Sequence, residues 1–530
     1  MSKIHHAFGR SKNGQNSQPT AQNDKPSARS RDKFYIAVLL IISLAIGIYI
    51  IATTVLIAQD GTLHIRLAQN FPQNPIGTIK RNPPFGYPFL IFLTHKVVTS
   101  FSQDGSVYSW IYSAQSMSLL CRVLSLIPLY FIGKLLVGSR RSFGGLLILI
   151  MLPFPAEFGS DVIREWPHIL FLSTGLLFLI WGSRFGKWWM FAIAGLAAGL
   201  GHTIREECAQ IIIYGTLWLL ISLFLPRGNI SRLKAIRLTL IFLIGFAIPA
   251  APYMKVRGRV LPPKLKSVIS CKTPWQSGGL EQSGFDGTPA LYKASGMPTD
   301  ILKALGRLAQ EISDNLMYFF VLPLIVGLYC HFRKLRRVLL TERFFIFALI
   351  VLYVVMMVLL HINYSYISRR HCMPIIVFTA FYIPAGLQIL ARWLSKRTSK
   401  NGLAVTKNRQ RWFFILVAVG FSICTAKFGR ITPLRWEKQG YIETAKWLKE
   451  NTSEKDLIAM ADSRIGFYAQ RPSGRMDGEK IPGNTTYVVK FLDGKQAEDS
   501  LTFNKEVQKR YSVWMNKRKA KKRIVIYEVL

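Results

Sequence analysis

Asp60 is the first acidic residue after the chain's first long apolar run, Phe34 to Ile57. A carboxylate there stands where a helix leaves a bilayer, and an ionisable group at that boundary is a functional candidate by default. The plainer alternative is a helix-capping Asp in a surface loop, because Asp-Gly is a common turn dipeptide. The residues that share its end of the chain's membrane segments weigh against that alternative. Arg66, Lys80 and Arg81 come from the same loop, and Glu157, Asp161, Arg164 and Glu165 join the third apolar segment to the fourth. His202, Arg205, Glu206 and Glu207 join the fifth to the sixth, Tyr253 and Arg257 close the seventh, and Tyr364, Tyr366, Arg369, Arg370 and His371 join the ninth to the tenth. Carboxylates and guanidiniums gathered on one side of a bilayer suit the handling of a phosphate and a proton. Snorkelling and mutual ion pairing would account for any one of them. They account less well for the set, because the turns on the other side hold almost no acids.

Those residues need a scaffold of membrane helices, and the composition supplies one. Of 530 residues, 50% are hydrophobic and 12% aromatic, and several apolar runs approach or exceed the roughly 18 residues of a membrane span. Spans are expected near residues 34–57, 112–137, 142–156, 163–182, 188–203, 207–225, 238–253, 316–332, 344–361, 373–392 and 411–427, about eleven in all. The fold class is therefore mainly α, a polytopic membrane protein. The formal charge of +40 does not point to nucleic acid, because the basic residues are interleaved with the spans. They read as topology signals and contacts to anionic lipid headgroups or phosphates. Six cysteines stand far apart without a C-x-x-C pair, which indicates neither a zinc site nor a disulfide framework.

Basic clusters at Arg140/Arg141, Arg184/Lys187, Arg227 to Arg237, Arg333 to Arg343 and Arg392 to Arg411 fall in alternate loops. By the positive-inside rule the N-terminus is cytoplasmic and the C-terminus extracytoplasmic, in a cell inner (plasma) membrane. Residues 1–33, rich in Ser, Asn, Gln and Lys, are expected to be a disordered cytoplasmic tail before a retained first span. Residues 34–427 form the membrane domain, with outer loops 58–111 and 254–315. In the first loop the spacing of Pro83, Pro84 and Pro88 forbids a regular span, and Phe85 to Val98 reads as a short interfacial helix. In the second, Lys255, Arg257, Arg259, Lys264 and Lys266 concentrate positive charge that calls for an anionic partner. Residues 428–530 read as a soluble extracytoplasmic α/β domain, with a helix from Arg435 to Asn451 and strands at 457–461, 466–469, 486–492 and 523–530. No nucleotide-binding glycine loop, nucleophile elbow or metal motif occurs in it.

The order of these segments resembles the C-type (GT-C) glycosyltransferases, in particular the branch of protein O-mannosyltransferases and lipid A aminoarabinose transferases. The resemblance rests on Asp60-Gly61 with Ala68; Pro83-Pro84 and Gly86-Tyr87-Pro88; Ser160-Asp161 with Arg164-Glu165; and Gly195 to Leu200 leading to Thr203-Ile204-Arg205. It continues through Ala251-Pro252-Tyr253 with Arg257-Gly258, Arg369-Arg370 with Pro374, and Ala445 to Asn451 with Phe467-Tyr468-Ala469. It implies a GT-C-like fold and inverting transfer of a sugar from a polyprenyl-phosphate-linked donor to a hydroxyl on a glycan, lipid or protein acceptor at the outer face. Asp60 would be the base and Asp161 the second catalytic acid. Lys80, Arg81, Arg205, Arg257 and Arg370 would hold the carrier phosphate, with Arg164, Glu165, Tyr253 and Arg369 completing the substrate-binding set. Gly61 stands where many members have a second acid, and Tyr253 where a Trp is common. Guanidiniums in a low-dielectric pocket can hold the charge that develops on the leaving phosphate, so no divalent cation is obligatory, although relatives that use one exist. The competing reading, a transporter or flippase of lipid-linked or anionic solutes, would place charges near the bilayer midplane and show internal repeats with broken helices.

Overall fold

The computed structural model describes residues 28–101, 106–224, 231–259, 297–333, 338, 341–364, 366–398, 404–431, 434–476, 481–493, 503–516 and 521–530. Most of the expected tail and the middle of the second outer loop, with Lys264 and Lys266, lie outside these residues. From Ala28 the tail is already helical, because α1 (Ala28–Thr53) starts a turn and a half before the apolar run. That extra length carries Asp32 to Lys134 and to the Tyr130 hydroxyl, which donates to it at 2.6 Å.

Each expected span is helical. After three short helices, α2 (Gln59–Asn70), α3 (Pro75–Lys80) and α4 (Gly86–Phe101), come α5 (Val107–Val137), α6 (Ser139–Met151), α7 (Pro153–Phe158), α8 (Glu165–Phe185) and α9 (Trp188–Ile204). They are followed by α10 (Gln210–Phe224), α11 (Arg232–Arg257), α12 (Met297–Asn315), α13 (Val321–Phe332), α14 (Arg343–Tyr364), α15 (Met373–Thr379), α16 (Ile383–Thr398) and α17 (Ala404–Ile431). Among the described residues, eight helical stretches are long and apolar enough to cross a membrane. The other three expected spans, α6, α9 and α13, have 13, 17 and 12 residues. At 1.5 Å per residue these fall short of a hydrocarbon layer about 30 Å thick.

Backbone proximity holds the bundle. In lipid no hydrophobic force drives helices together, so small residues that let backbones approach supply much of the packing. The glycine-rich face of α9 does this against α11: a Cβ on Gly195 would lie 2.2 Å from the Phe242 carbonyl oxygen. The first outer loop does not cross the bundle. Its helix α4 packs on α2 and α5, and α3 packs on α11, so together they cover one end of the membrane helices.

The C-terminal segment is an α/β unit with α18 (Gln439–Asn451), α19 (Arg464–Ala469) and strands β1 (Ile458–Met460), β2 (Ser473–Arg475), β3 (Tyr487–Asp493), β4 (Val507–Trp514) and β5 (Lys522–Val529). The sheet order is β2-β1-β3-β5-β4, parallel among the first three strands and antiparallel from β3 onward. One expectation is corrected here: 466–469 is helical. All six residues of α19 are buried, so no alternation marks a strand face, and a short run buried on every side fits helix or strand equally well. β2 and β4 were not expected; β4 is an edge strand rich in polar residues, which hides the alternating pattern.

Candidate active site

The corner between α1 and α2 aims Asp60, and almost every backbone group in it is held. Val55 N donates to Leu434 O at 3.1 Å, and Arg435 Nη1 donates to Leu56 O at 2.8 Å. Ile57 N donates to the Tyr468 hydroxyl at 3.2 Å, and Ile57 O accepts from Arg464 Nη1 at 3.3 Å. Ala58 N donates to Asp161 Oδ1 at 3.0 Å. Four of these five contacts come from the C-terminal segment, so the C-terminal α/β unit fixes the point from which α2 starts. Gly61 then lets α2 seat against the 160–164 loop, because a Cβ there would meet Val162 Cβ at 2.8 Å and Val162 O at 3.0 Å. A second acid at position 61 has no room in this packing, which accounts for that departure from the common pattern. The glycine serves helix seating rather than substrate approach.

Asp60 lies in the first turn of α2, its side chain half exposed and paired through Oδ2 with Arg370 Nη1. Burial works against its charge, but Arg370, with Arg164 nearby, outweighs that and holds the carboxyl below its ordinary value. His64, one turn along α2, is buried with its ring edge on Tyr87 at 4.9 Å. Burial and the nearby Arg164 and Arg370 push it down to about 3 against the pull of Asp60, so the ring is neutral. Arg164 is partly buried beside this group and has no hydrogen bond or ion pair among the described residues. Beneath them Arg205 is 4% exposed, with Nε 3.2 Å from Glu207 and Nη1 3.5 Å from Glu165. A buried guanidinium needs such partners, so Arg205 and Glu165 form a supporting layer rather than an open phosphate grip.

Other expected members lie elsewhere. Asp161 is 1% exposed and saturated: Oδ1 accepts from Ala58 N and from Val162 N at 2.7 Å, and Oδ2 from Arg435 Nη2 at 2.5 Å. Its three accepted hydrogen bonds bracket the α1–α2 corner, and its burial turns the carboxylate into protein rather than toward open space. Arg257 is committed to Glu206 at 2.6 Å, to the Tyr253 hydroxyl and to the Asn82 side chain, and Tyr253 packs on Phe85 and His202. That group ties α11 to the first loop. Lys80 and the Arg81 side chain are exposed and make no ion pair among the described residues. Arg369 turns away from Arg370 and lies over the Phe154 ring, 4.4 Å from its centroid. The sequence reading missed His64, whose i, i+4 spacing from Asp60 on a helix was available as a signal. It also missed Arg435 and Arg464, and it gave Tyr468 only as part of the resemblance; their partners lie hundreds of residues away and leave no local trace. No group of three metal-ligating side chains occurs among the described residues.

Fold and site together define a multi-pass membrane protein of GT-C architecture with a small C-terminal α/β unit. Residues 84–251, from the first loop to the end of the seventh expected span, match the family described as dolichyl-phosphate-mannose-protein mannosyltransferase. ArnT from Cupriavidus metallidurans bound to undecaprenyl phosphate is similar with a TM-score of 0.55 and 12% identity, covering 94% of this chain and 98% of that one. The archaeal oligosaccharyltransferase AglB from Archaeoglobus fulgidus, in complex with an inhibitory peptide and a dolichol-phosphate, is similar with a TM-score of 0.53 and 13% identity, covering 88% of this chain and 70% of that one. At these identities the likeness is one of fold. No curated protein matches the sequence.

Proposed function

We propose that the protein is a membrane glycosyltransferase that moves a sugar from a polyprenyl-phosphate carrier to an acceptor hydroxyl at the extracytoplasmic face, with inversion at the anomeric carbon. The observation that carries this reading is an ionised, half-exposed carboxylate, Asp60, flanked by one paired guanidinium, Arg370, and one unpaired guanidinium, Arg164. In the reaction the acceptor oxygen bonds to the anomeric carbon as the bond from that carbon to the phosphate oxygen breaks. The bonding pair leaves with the carrier phosphate, and the acceptor proton passes to Asp60. Arg370 exchanges Asp60 for the donor phosphate, and this exchange both grips the leaving group and frees the base. Arg164 is the other cation beside Asp60 available to the phosphate, and this chemistry calls for no divalent cation. The outward sidedness is supported by the basic clusters at the opposite end of the helices.

Asp60→Asn tests the reading in the purified protein in nanodiscs, with polyprenyl-phosphate-linked sugars as donors. The amide keeps the side chain's shape but cannot accept the proton, so release of free polyprenyl phosphate should fall by about 10²–10⁴ while donor binding persists. Near-normal turnover removes Asp60 from catalysis.

A further inference from the structure

On the far side of the turn that carries Arg370 lies a cavity of about 490 Å³ that the proposed chemistry does not use. Its wall combines Phe154 of α7, Met317 after α12, Arg369 of the turn before α15, and Ile423, Ala426 and Lys427 of α17. Two cations share one ring: the Arg369 guanidinium is 4.4 Å, and the Lys427 ammonium 5.9 Å, from the Phe154 centroid. Neither forms a hydrogen bond to a carboxylate among the described residues, although Asp314 also lines the cavity. The acids nearest Arg369 Nε, Glu311 and Asp314, stand 3.8 and 3.9 Å away, beyond hydrogen-bond range, and Lys427 has no ion pair among the described residues. A lysine near the end of a spanning helix ordinarily snorkels to water. This one is exposed, yet it lies within reach of the same aromatic ring as a second exposed cation, so an anion entering between them would meet both charges.

The charge count names the kind of anion. Glu311 is neutralised by Arg307 at 2.6 Å, and Asp314, which also accepts from the Tyr318 hydroxyl, offsets one of the two remaining cations. While the nearby Glu157, whose carboxyl also feels Arg369, is protonated, one net positive charge is left over an apolar wall that continues along α17. A phosphodiester bears one negative charge at neutral pH, whereas a terminal phosphomonoester approaches two. The turn that shapes the cavity is strained in support of this shape: Met317 and Tyr318, neither of them glycine, both adopt the left-handed region, with φ of 53° and 58°. Such conformations persist where the surrounding structure enforces them, often at ligand sites.

We propose that this cavity binds the headgroup of an anionic phospholipid from the surrounding leaflet, its phosphodiester between Arg369 and Lys427 and its tail along Ile423 and Ala426. The site is separate from the donor phosphate site. Because Arg369 and Arg370 are consecutive, the bound lipid braces the turn that presents Arg370 to Asp60.

The test is photocrosslinking of the full-length protein in nanodiscs with a photoreactive phosphatidylglycerol, with crosslinked peptides mapped by mass spectrometry. The proposal expects crosslinks in the peptides carrying Phe154 and Ile423, displaced by excess phosphatidylglycerol but not by phosphatidylcholine. In Arg369→Ala/Lys427→Ala they should fall about tenfold or more, the effect of losing two charge-assisted contacts. Lys427→Arg should retain them, and this variant together with an unchanged melting temperature in detergent separates lost binding from lost folding. Unchanged crosslinking in the double variant overturns the proposal. So does displacement at equal concentration by a polyprenyl-phosphate-linked sugar, itself a phosphodiester, or by polyprenyl phosphate, which would assign the cavity to the donor or its carrier. Neither outcome depends on whether Asp60 is a catalytic base, because the readout is lipid binding rather than turnover.

Discussion

The two ends of the helical bundle are both rich in arginine, yet they deploy it differently. At the end that holds Asp60, cations meet carboxylates: Arg370 with Asp60, Arg205 with Glu165 and Glu207, Arg257 with Glu206, and Arg435 with Asp161. At the other end they meet mostly neutral oxygens. Arg141 donates to the Gln388 side chain at 3.1 and 3.2 Å, and Arg343 donates to the His331 carbonyl at 3.1 Å. Lys134 with Asp32 is the ion pair seen there among the described residues. Cations that face neutral groups can stay where lipid headgroups and water solvate them, which is the pattern of a topology signal. Cations that face buried acids carry a desolvation cost, and their partners must be positioned closely to offset it. The difference marks one end as anchored and the other as built.

Arg370→Ala should give the largest effect after Asp60→Asn. In the proposed reaction it removes a contact to the donor phosphate and the group that holds Asp60 below its ordinary value, so turnover should fall about a hundredfold, with Arg370→Lys recovering only part because it lacks the bidentate fork. Its pH profile sharpens the point. Activity needs ionised Asp60 and is lost as pH falls through its pKa, which Arg370 holds below the ordinary value. Removing Arg370 should therefore shift the acid limb to higher pH; an unmoved limb would separate the two residues.

The next effect falls on stability. Arg435→Ala leaves Asp161 buried without its counter-ion, a change that costs about 3–5 kcal/mol in comparable buried pairs, read by denaturant or thermal unfolding. Because Asp161 also holds Ala58 N, donor turnover should fall in the same variant more than donor affinity does.

Glu157 gives a smaller, pH-dependent effect. Burial pushes its carboxyl up to about 7 despite the nearby Arg435. A raised carboxyl favours the protonated form, so the folded state is penalised as pH climbs from about 4.5 to 7 and carries the full penalty above 7. Glu157→Gln should remove that dependence and stabilise the protein above pH 7 by at most about 3 kcal/mol, while changing little below pH 5. A flat wild-type profile over that range would contradict this environment for Glu157.

The smallest effect belongs to the opposite end. Lys134→Ala should cost about 1 kcal/mol or less and leave turnover unchanged, as expected for a partly exposed pair. A large loss of activity there would erase the distinction between the ends.

Which charged residues share one end of the bundle was legible in the sequence, because turns between apolar runs can be counted and charges assigned to alternate ends. Which charges are free was not legible. Arg369 and Arg370 are neighbours, yet one pairs with Asp60 and the other lies over Phe154. Asp161 reads like a second catalytic acid until Arg435, far along the chain, is seen to occupy it. Local pattern fixes the end of the bundle at which a residue emerges, whereas its availability depends on partners that only tertiary packing supplies. The same holds for Gly61, whose role is set by Val162 on another segment.

A cryo-EM structure of the protein with polyprenyl phosphate in nanodiscs tests the central claim most directly. The account predicts phosphate density against Arg164 and Arg370, with Arg370 drawn off Asp60 and the Asp60 carboxylate facing open space. Phosphate density beside Arg392 and Arg409 at the other end, with the Asp60–Arg370 pair intact, would contradict it.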